Sequence, residues 1–231
     1  MQIAATGTHI ALTAMHIYEG VLSATTSGQE VLMIGAAGAA LGTAVGLYKL
    51  PYERLPQVAV LSSAFFVASL IHIPLPPSST HLTLTGLMGL LLGRAAFPAV
   101  LVALLLQAVF FSFGGLTVLG VNTVIMGLPT VVCYYLFRRG AASRSTAVVG
   151  AVGFASGATA IVLSGLLSAA ALLAAGKEFQ LAGLAMLAFH LPAALLEGLV
   201  TASILVFLHK VRPEALLLAA PARPAQGTLH G

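Results

Sequence analysis

Apolar residues run along this chain in long blocks separated by short polar stretches, with no alternation of period two. Seven blocks stand out, at 31–49, 58–73, 81–93, 98–113, 117–137, 146–175 and 181–208. Several approach or exceed the roughly 20 residues that a helix needs to cross a bilayer core. Continuous apolar runs predict helices, because in lipid a helix satisfies its own backbone groups, whereas barrel strands would alternate. The third block is short and is expected to be tilted, re-entrant or shielded by neighbours. The last is long and carries Pro192, which is expected to kink it. Before the first block lies a polar island at 15–20, Met-His-Ile-Tyr-Glu-Gly, closed by the turn-like Thr-Thr-Ser-Gly-Gln-Glu at 25–30.

Composition agrees with that pattern. Of 231 residues, 59% are hydrophobic and only 7% are charged, too few to cover a soluble domain of this size. The expected fold is therefore all-α, a polytopic membrane bundle of about seven transmembrane helices. The net charge of +4 reads as membrane topology rather than nucleic-acid binding. Lys49, Arg54, Arg94, Arg138, Arg139, Arg144, Lys210, Arg212 and Arg223 fall on one side of the seven-span arrangement, and only Lys177 on the other. The positive-inside rule makes the nine-residue side cytoplasmic, the N-terminus external and the C-terminus internal. Cys133 is the only cysteine and sits inside an apolar run, which excludes an internal disulfide and a cysteine-based metal cluster.

The same topology gathers the polar island, the loop at 74–81, the Gly114-Gly115 turn and the Lys177-Glu178 turn on the outer face. Small residues crowd the first block (Gly35, Ala36, Ala37, Gly38, Ala39, Ala40, Gly42) and the sixth (Gly150, Ala151, Gly153, Ala155, Gly157). Such faces allow close helix contact, within the bundle or against a partner subunit.

Met15-His16 at a chain terminus is a chelator. The free amine, the backbone nitrogen of His16 and its Nδ1 form fused five- and six-membered rings, and a fourth nitrogen from a distant histidine completes a plane. That geometry suits Ni(II) or Cu(II) better than tetrahedral Zn(II). His72 and His81 are the candidates for the fourth nitrogen. Ser78, Ser79 and Thr80 offer hydroxyls expected to cap the third helix, and Glu19 is a candidate partner for the N-terminal segment or a histidine. His190 and Glu197, seven residues apart, share a helix face, and with Asn122 and Gln107 they are candidates for an intramembrane polar network. His9, His209 and His230 have no evident partner, and no Walker A motif is present.

The stretches MHIYEGVLS, SSTHLTLTGLMGLLLGRAAFPA, LLLQAVFFSFGGLTVLGVNTVIMGLP and HLPAALLEGLVTASILVFLHKVRPE resemble the CbiM/NikM family over about residues 15–215. Those are nickel- and cobalt-specific substrate-binding membrane components of energy-coupling-factor transporters. The resemblance implies seven spans, an external N-terminus, and Met15, His16 and His81 as the residues that bind Ni(II) or Co(II) as transported substrate; His72, Glu19 and Ser79 are, on their placement alone, candidates to support them. It also implies a transmembrane coupling subunit, two cytoplasmic ATPase subunits, a small accessory membrane subunit, and residence in a prokaryotic cytoplasmic membrane.

One departure from the family is the leader at 1–14, which would lock the Met15 amine in a peptide bond. It lacks the basic and apolar regions of a secretory signal, and initiation at Met15 is expected, with proteolysis after Ala14 as the second option. The expected organisation is then a leader at 1–14, one membrane-embedded metal-binding domain at 15–215, and a flexible cytoplasmic tail at 216–231. Two other classes stay open on the residues: a membrane-embedded metal hydrolase using Glu19 or Glu197 as base, and a structural membrane subunit without a ligand. The first is weakened by the absence of an HExxH motif.

Overall fold

The computed structural model describes residues 16–48, 50–75 and 78–217. The leader, Met15, Lys49, most of the tail with Arg223 and His230, and the side chains of 74–80 lie outside the described set. Helices stand at each of the expected blocks: α1 (Thr26–Leu47), α2 (Leu55–Ala68), α3 (Thr85–Leu92), α4 (Ala96–Phe111), α5 (Leu119–Ala141), α6 (Thr146–Ala175) and α7 (Gln180–Val211). A short α8 (Pro213–Leu217) follows, and an antiparallel hairpin of β1 (His72–Leu75) and β2 (Ser78–His81) lies between α2 and α3. Among the described residues, five segments are long and apolar enough to cross a membrane: Thr26–Leu47, Thr85–Phe111, Leu119–Ala141, Thr146–Ala175 and Lys177–Val211.

The segment Thr85–Phe111 is not one straight rod. It breaks at Gly93, whose φ of 61° suits a residue without Cβ. At the break the chain reverses. Arg54, just before α2, donates to the Leu91 carbonyl at the end of α3 (3.1 Å), whereas Gln107 near the end of α4 donates to Ser69 Oγ at the opposite end of α2 (2.8 Å). α3 and α4 therefore run in opposite directions beside α2. At 14 and 8 residues, α2 and α3 are each shorter than a bilayer-crossing helix.

Two boundaries differ from expectation. The stretch at 25–30 is the start of α1 rather than a turn: Thr25 Oγ1 accepts from the Gly28 N–H (2.9 Å) as an N-cap and donates to the Ala175 carbonyl (2.8 Å). The third helix begins at Thr85, not at His81, because residues 78–81 pair with β1 in the register His72↔His81. Pro192 lies within an unbroken α7, as Pro129 does within α5.

Small residues are used inside the bundle. Gly35 of α1 lies against Val121 of α5, and Gly42 against the Phe97 ring of α4. A Cβ on Gly86 of α3 would stand 2.6 Å from Gly157 Cα of α6, so those two backbones touch. α6 and α7 make the most extensive helix pair.

The two ends of the bundle differ in chemistry. Arg54, Arg94 and Tyr134 line one cavity with Gly46 and Gly93, and Arg138 donates to the Tyr134 hydroxyl (3.3 Å). At the other end the segment at 16–25 meets the Gly114 turn, the end of α6 and the hairpin.

Candidate metal site

His16 and His81 come together at that second end. Their ring centroids are 4.8 Å apart with planes inclined by 24°, and the residues are 3% and 5% exposed. Both nitrogens of each ring are buried, and none makes a hydrogen bond of normal geometry among the described residues. Burying such groups unpaired is unfavourable, so four unpartnered ring nitrogens at one point call for a ligand. Burial is also the main cause that holds the His16 imidazole well below its ordinary value, with His81 and His190 adding to it. His81 is lowered to about 4, by burial first and then, against a favourable contact with the Leu82 backbone, by His72 and His190. Both rings are neutral at neutral pH, and each then carries a lone pair for a metal ion.

Each histidine is held by a different device. The Asn122 side chain of α5 grips the residue after His16 on both sides: its Oδ1 accepts from the Ile17 N–H (3.0 Å) and its Nδ2 donates to the Ile17 carbonyl (2.9 Å). Further along, the Glu19 N–H donates to the Gly114 carbonyl (2.6 Å), and the Thr117 N–H donates to Glu19 Oε1 (3.3 Å). Gly115, at φ 110°, makes room there, since a Cβ would fall 2.3 Å from Glu19 Oε2.

His81 is fixed from the other side of the bundle. The Glu197 carboxylate of α7, 1% exposed, accepts from the Thr83 N–H and hydroxyl and from the Leu84 N–H. It thereby holds the left-handed turn at Leu84 (φ 53°) through which the chain passes from His81 into α3. The anchoring of this turn falls to Glu197, whereas Ser78, Ser79 and Thr80 are in β2 and α3 starts five residues beyond Thr80.

Residues 16–215 match the family model CbiM, described as a cobalt uptake substrate-specific transmembrane region. The chain belongs to the CbiM family. A Haemophilus influenzae protein named for metal transport is 41% identical over 208 residues, covering 87% of this chain and 97% of its own length. The cobalt transport protein CbiM of Sorangium cellulosum is 36% identical, with 70% of this chain and 76% of the relative covered. The fused nickel transport protein NikMN of Rhodobacter capsulatus is 35% identical over 74% of this chain, which spans 56% of that longer protein. A crystal structure of a truncated transition metal transporter shares the fold, with a TM-score of 0.65 at 21% identity, covering 85% of this chain and 99% of the other.

The remaining sequence candidates of this CbiM-family chain fall in distinct places. His72 is exposed in β1, its ring 6.0 Å from that of His81 and 5.6 Å from Phe113, with Nδ1 3.1 Å from the Leu70 carbonyl. Ser79 pairs with Pro74 in the hairpin, and its side chain is outside the described set, as is all of Met15. Gln107 ties α4 to Ser69 rather than to a histidine. His190 Nδ1 lies 2.7 Å from the Met186 carbonyl, so this nitrogen is the donor. Among the described residues, the hydrogen bonds of Asn122, Gln107, His190 and Glu197 go to separate partners. Sequence reading missed Thr83 and Leu84 as the partners of Glu197, because those contacts span 114 and 113 residues.

Proposed function

We propose that this chain captures Ni(II) or Co(II) on the outer face of a prokaryotic cytoplasmic membrane and serves as the substrate-specificity subunit of an energy-coupling-factor transporter. The observation that carries the reading is the buried His16–His81 pair with its four unpartnered nitrogens. Membership of a family described by cobalt uptake, and relatives named for cobalt and nickel transport, support the same ions as substrate and a transport component rather than an enzyme. The hydrolase alternative has no support: Glu19 bonds to Thr117, and Glu197 is committed to Thr83 and Leu84, leaving neither as a base beside the pair.

In this reading Met15 is the first residue of the working protein. Its amine, the His16 backbone nitrogen, the His16 imidazole and His81 supply four nitrogens in a plane, the arrangement suited to Ni(II). Asn122 and Glu197 hold the two halves of that donor set in place from α5 and α7. Seven helices cross or enter the membrane, with the histidine end outside and the arginine end facing the cytoplasm, as the charge distribution supports. ATP hydrolysis comes from two cytoplasmic ATPase subunits acting through a transmembrane coupling subunit. The fused NikMN relative supports a further accessory membrane component.

Mass analysis of the N-terminus of the purified protein, together with its metal content, tests this. A chain starting at Met15 and carrying about one nickel or cobalt, lost in His16→Ala, is the expected result. Metal bound equally by the His16→Ala protein, or by a chain that retains its leader, would overturn the ligand assignment.

A further inference from the structure

A third buried imidazole lies beside the pair. His190 of α7 is 2% exposed, its Nδ1–H is bonded to the Met186 carbonyl (2.7 Å), and its Nε2 is buried without a hydrogen-bond partner among the described residues. Because Nδ1 carries the proton, Nε2 carries the lone pair, the form in which imidazole binds metals. Helix geometry places it. Glu197 locks α7 to Thr83 and Leu84, and His190 sits two turns back on the same face, about 10 Å toward the histidine end. His81 precedes Thr83 by two residues, at most about 7 Å of chain. Both therefore stand close to the Glu197 anchor, near enough for His190 to disfavour a charge on either His16 or His81. Across from it Gly165 of α6 makes room for the ring: a Cβ there would lie 2.7 Å from His190 Cγ.

We propose that His190 is a third metal-binding imidazole, which joins His16 and His81 to hold the ion through three imidazole nitrogens once the N-terminal amine and the His16 backbone nitrogen have let go. This rests on the proposed function and adds a second holding state to it. Among the described residues, no three histidine, cysteine or carboxylate side chains yet stand at metal-binding spacing, so the state forms by rotation of the rings. The change is a ligand exchange without redox chemistry. One metal–nitrogen bond forms at His190 Nε2, two break, at the amine and at the His16 backbone nitrogen, and both freed nitrogens take up protons from water. Three imidazoles with an open position favour a tetrahedral ion, which distinguishes this state from the planar one.

The test uses Co(II) and two forms of the full chain, one beginning at a free Met15 amine and one with that amine acetylated. The acetylated wild type is expected to bind Co(II) with the intense visible absorption of tetrahedral cobalt, and acetylated His190→Gln to bind about tenfold or more weakly. The free-amine His190→Gln protein should still bind Ni(II) in a His16-dependent way, which also shows that it folds. Should the variant not fold, the hyperfine-shifted imidazole N–H signals of acetylated, Co(II)-loaded wild type are counted by proton NMR, with three expected. Two signals, no Co(II) uptake by the acetylated chain, or equal uptake by His190→Gln would overturn the role of His190. Absence of His16-dependent binding in the free-amine wild type would instead overturn the proposed function.

Discussion

Glu197 and Thr83 are joined across 114 residues of sequence by two hydrogen bonds, from the Thr83 N–H and from its hydroxyl to one carboxylate oxygen. The Leu84 N–H donates to the same carboxylate (3.2 Å). A carboxylate deep in an apolar bundle is costly unless it is fully engaged, and here it anchors the turn that delivers His81 to the site. Replacing Glu197 by Ala leaves two backbone N–H groups without an acceptor, at about 1–3 kcal/mol for each, and the Thr83 hydroxyl with Thr85 Oγ1 (3.2 Å) as its partner. Glu197→Ala should therefore melt well below wild type in detergent and lose metal binding, whereas Glu197→Gln, which keeps one carbonyl acceptor, should lose less. A melting temperature unchanged in Glu197→Ala would show that the turn is held by other contacts.

Asn122 does for His16 what Glu197 does for His81. Its amide matches both the N–H and the carbonyl of Ile17, a pairing that needs one donor and one acceptor. Asn122→Ala should weaken Ni(II) or Co(II) binding about 10- to 100-fold, the usual effect of removing a group that orients a metal ligand. Asn122→Asp keeps the acceptor, loses the donor, and should fall between. Equilibrium dialysis against each metal reads the result, and equal affinity in all three proteins would remove Asn122 from the site's support.

Proton binding to the two imidazoles sets a pH signature. In the unfolded chain both titrate near the ordinary 6.5, whereas burial holds His81 at about 4 and His16 well below its ordinary value in the folded protein. Between those values the unfolded state binds protons that the folded state does not. Stability of the metal-free protein is thus fully present above about pH 6.5 and declines as pH falls toward 4. Thermal melts across that range should show the decline, and His81→Gln should flatten it. A wild-type profile level from pH 7 to 4 would contradict neutral burial of the pair.

Close backbone contact between α3, α6 and α7 is set at Gly157. A Cβ there would stand 2.6 Å from the Glu197 carbonyl and 2.8 Å from Thr201 Oγ1. Gly157→Ala must push α7 away and should cost about 1–3 kcal/mol, as overpacking of a tight core does. Gly150→Ala, on the same helix, meets only the end of the Val206 side chain at 3.2 Å and should be nearly neutral. Paired melts of the two variants check this, and equal effects would mean that the helix pair gives way without strain.

The resemblance carried by MHIYEGVLS and SSTHLTLTG was legible because Met15, His16 and His81 sit in contiguous blocks. His190 and Asn122 were visible only as polar residues in apolar runs. What they touch depends on the rotation of α7 and α5, and period alone cannot supply that. The turn expected at 25–30 turned out to be a helix start because Thr25 bonds to Ala175, a contact 150 residues away. The helix expected from His81 begins four residues later, with His81 in the hairpin and 82–84 in the turn that Glu197 anchors, because that pairing and that anchor are both supplied by other parts of the chain.

What the sequence by itself determined is the solvent, the helical class, the positions of seven helices and the bias of basic residues toward one end, since apolar run length and charge are properties of consecutive residues. Only the tertiary structure decided the reversal at Gly93, the stacking of His16 on His81, the burial of His190, and the two polar anchors from α5 and α7. Those depend on which helix faces meet, and that is settled by close packing at glycines and by buried polar groups finding partners more than 100 residues away.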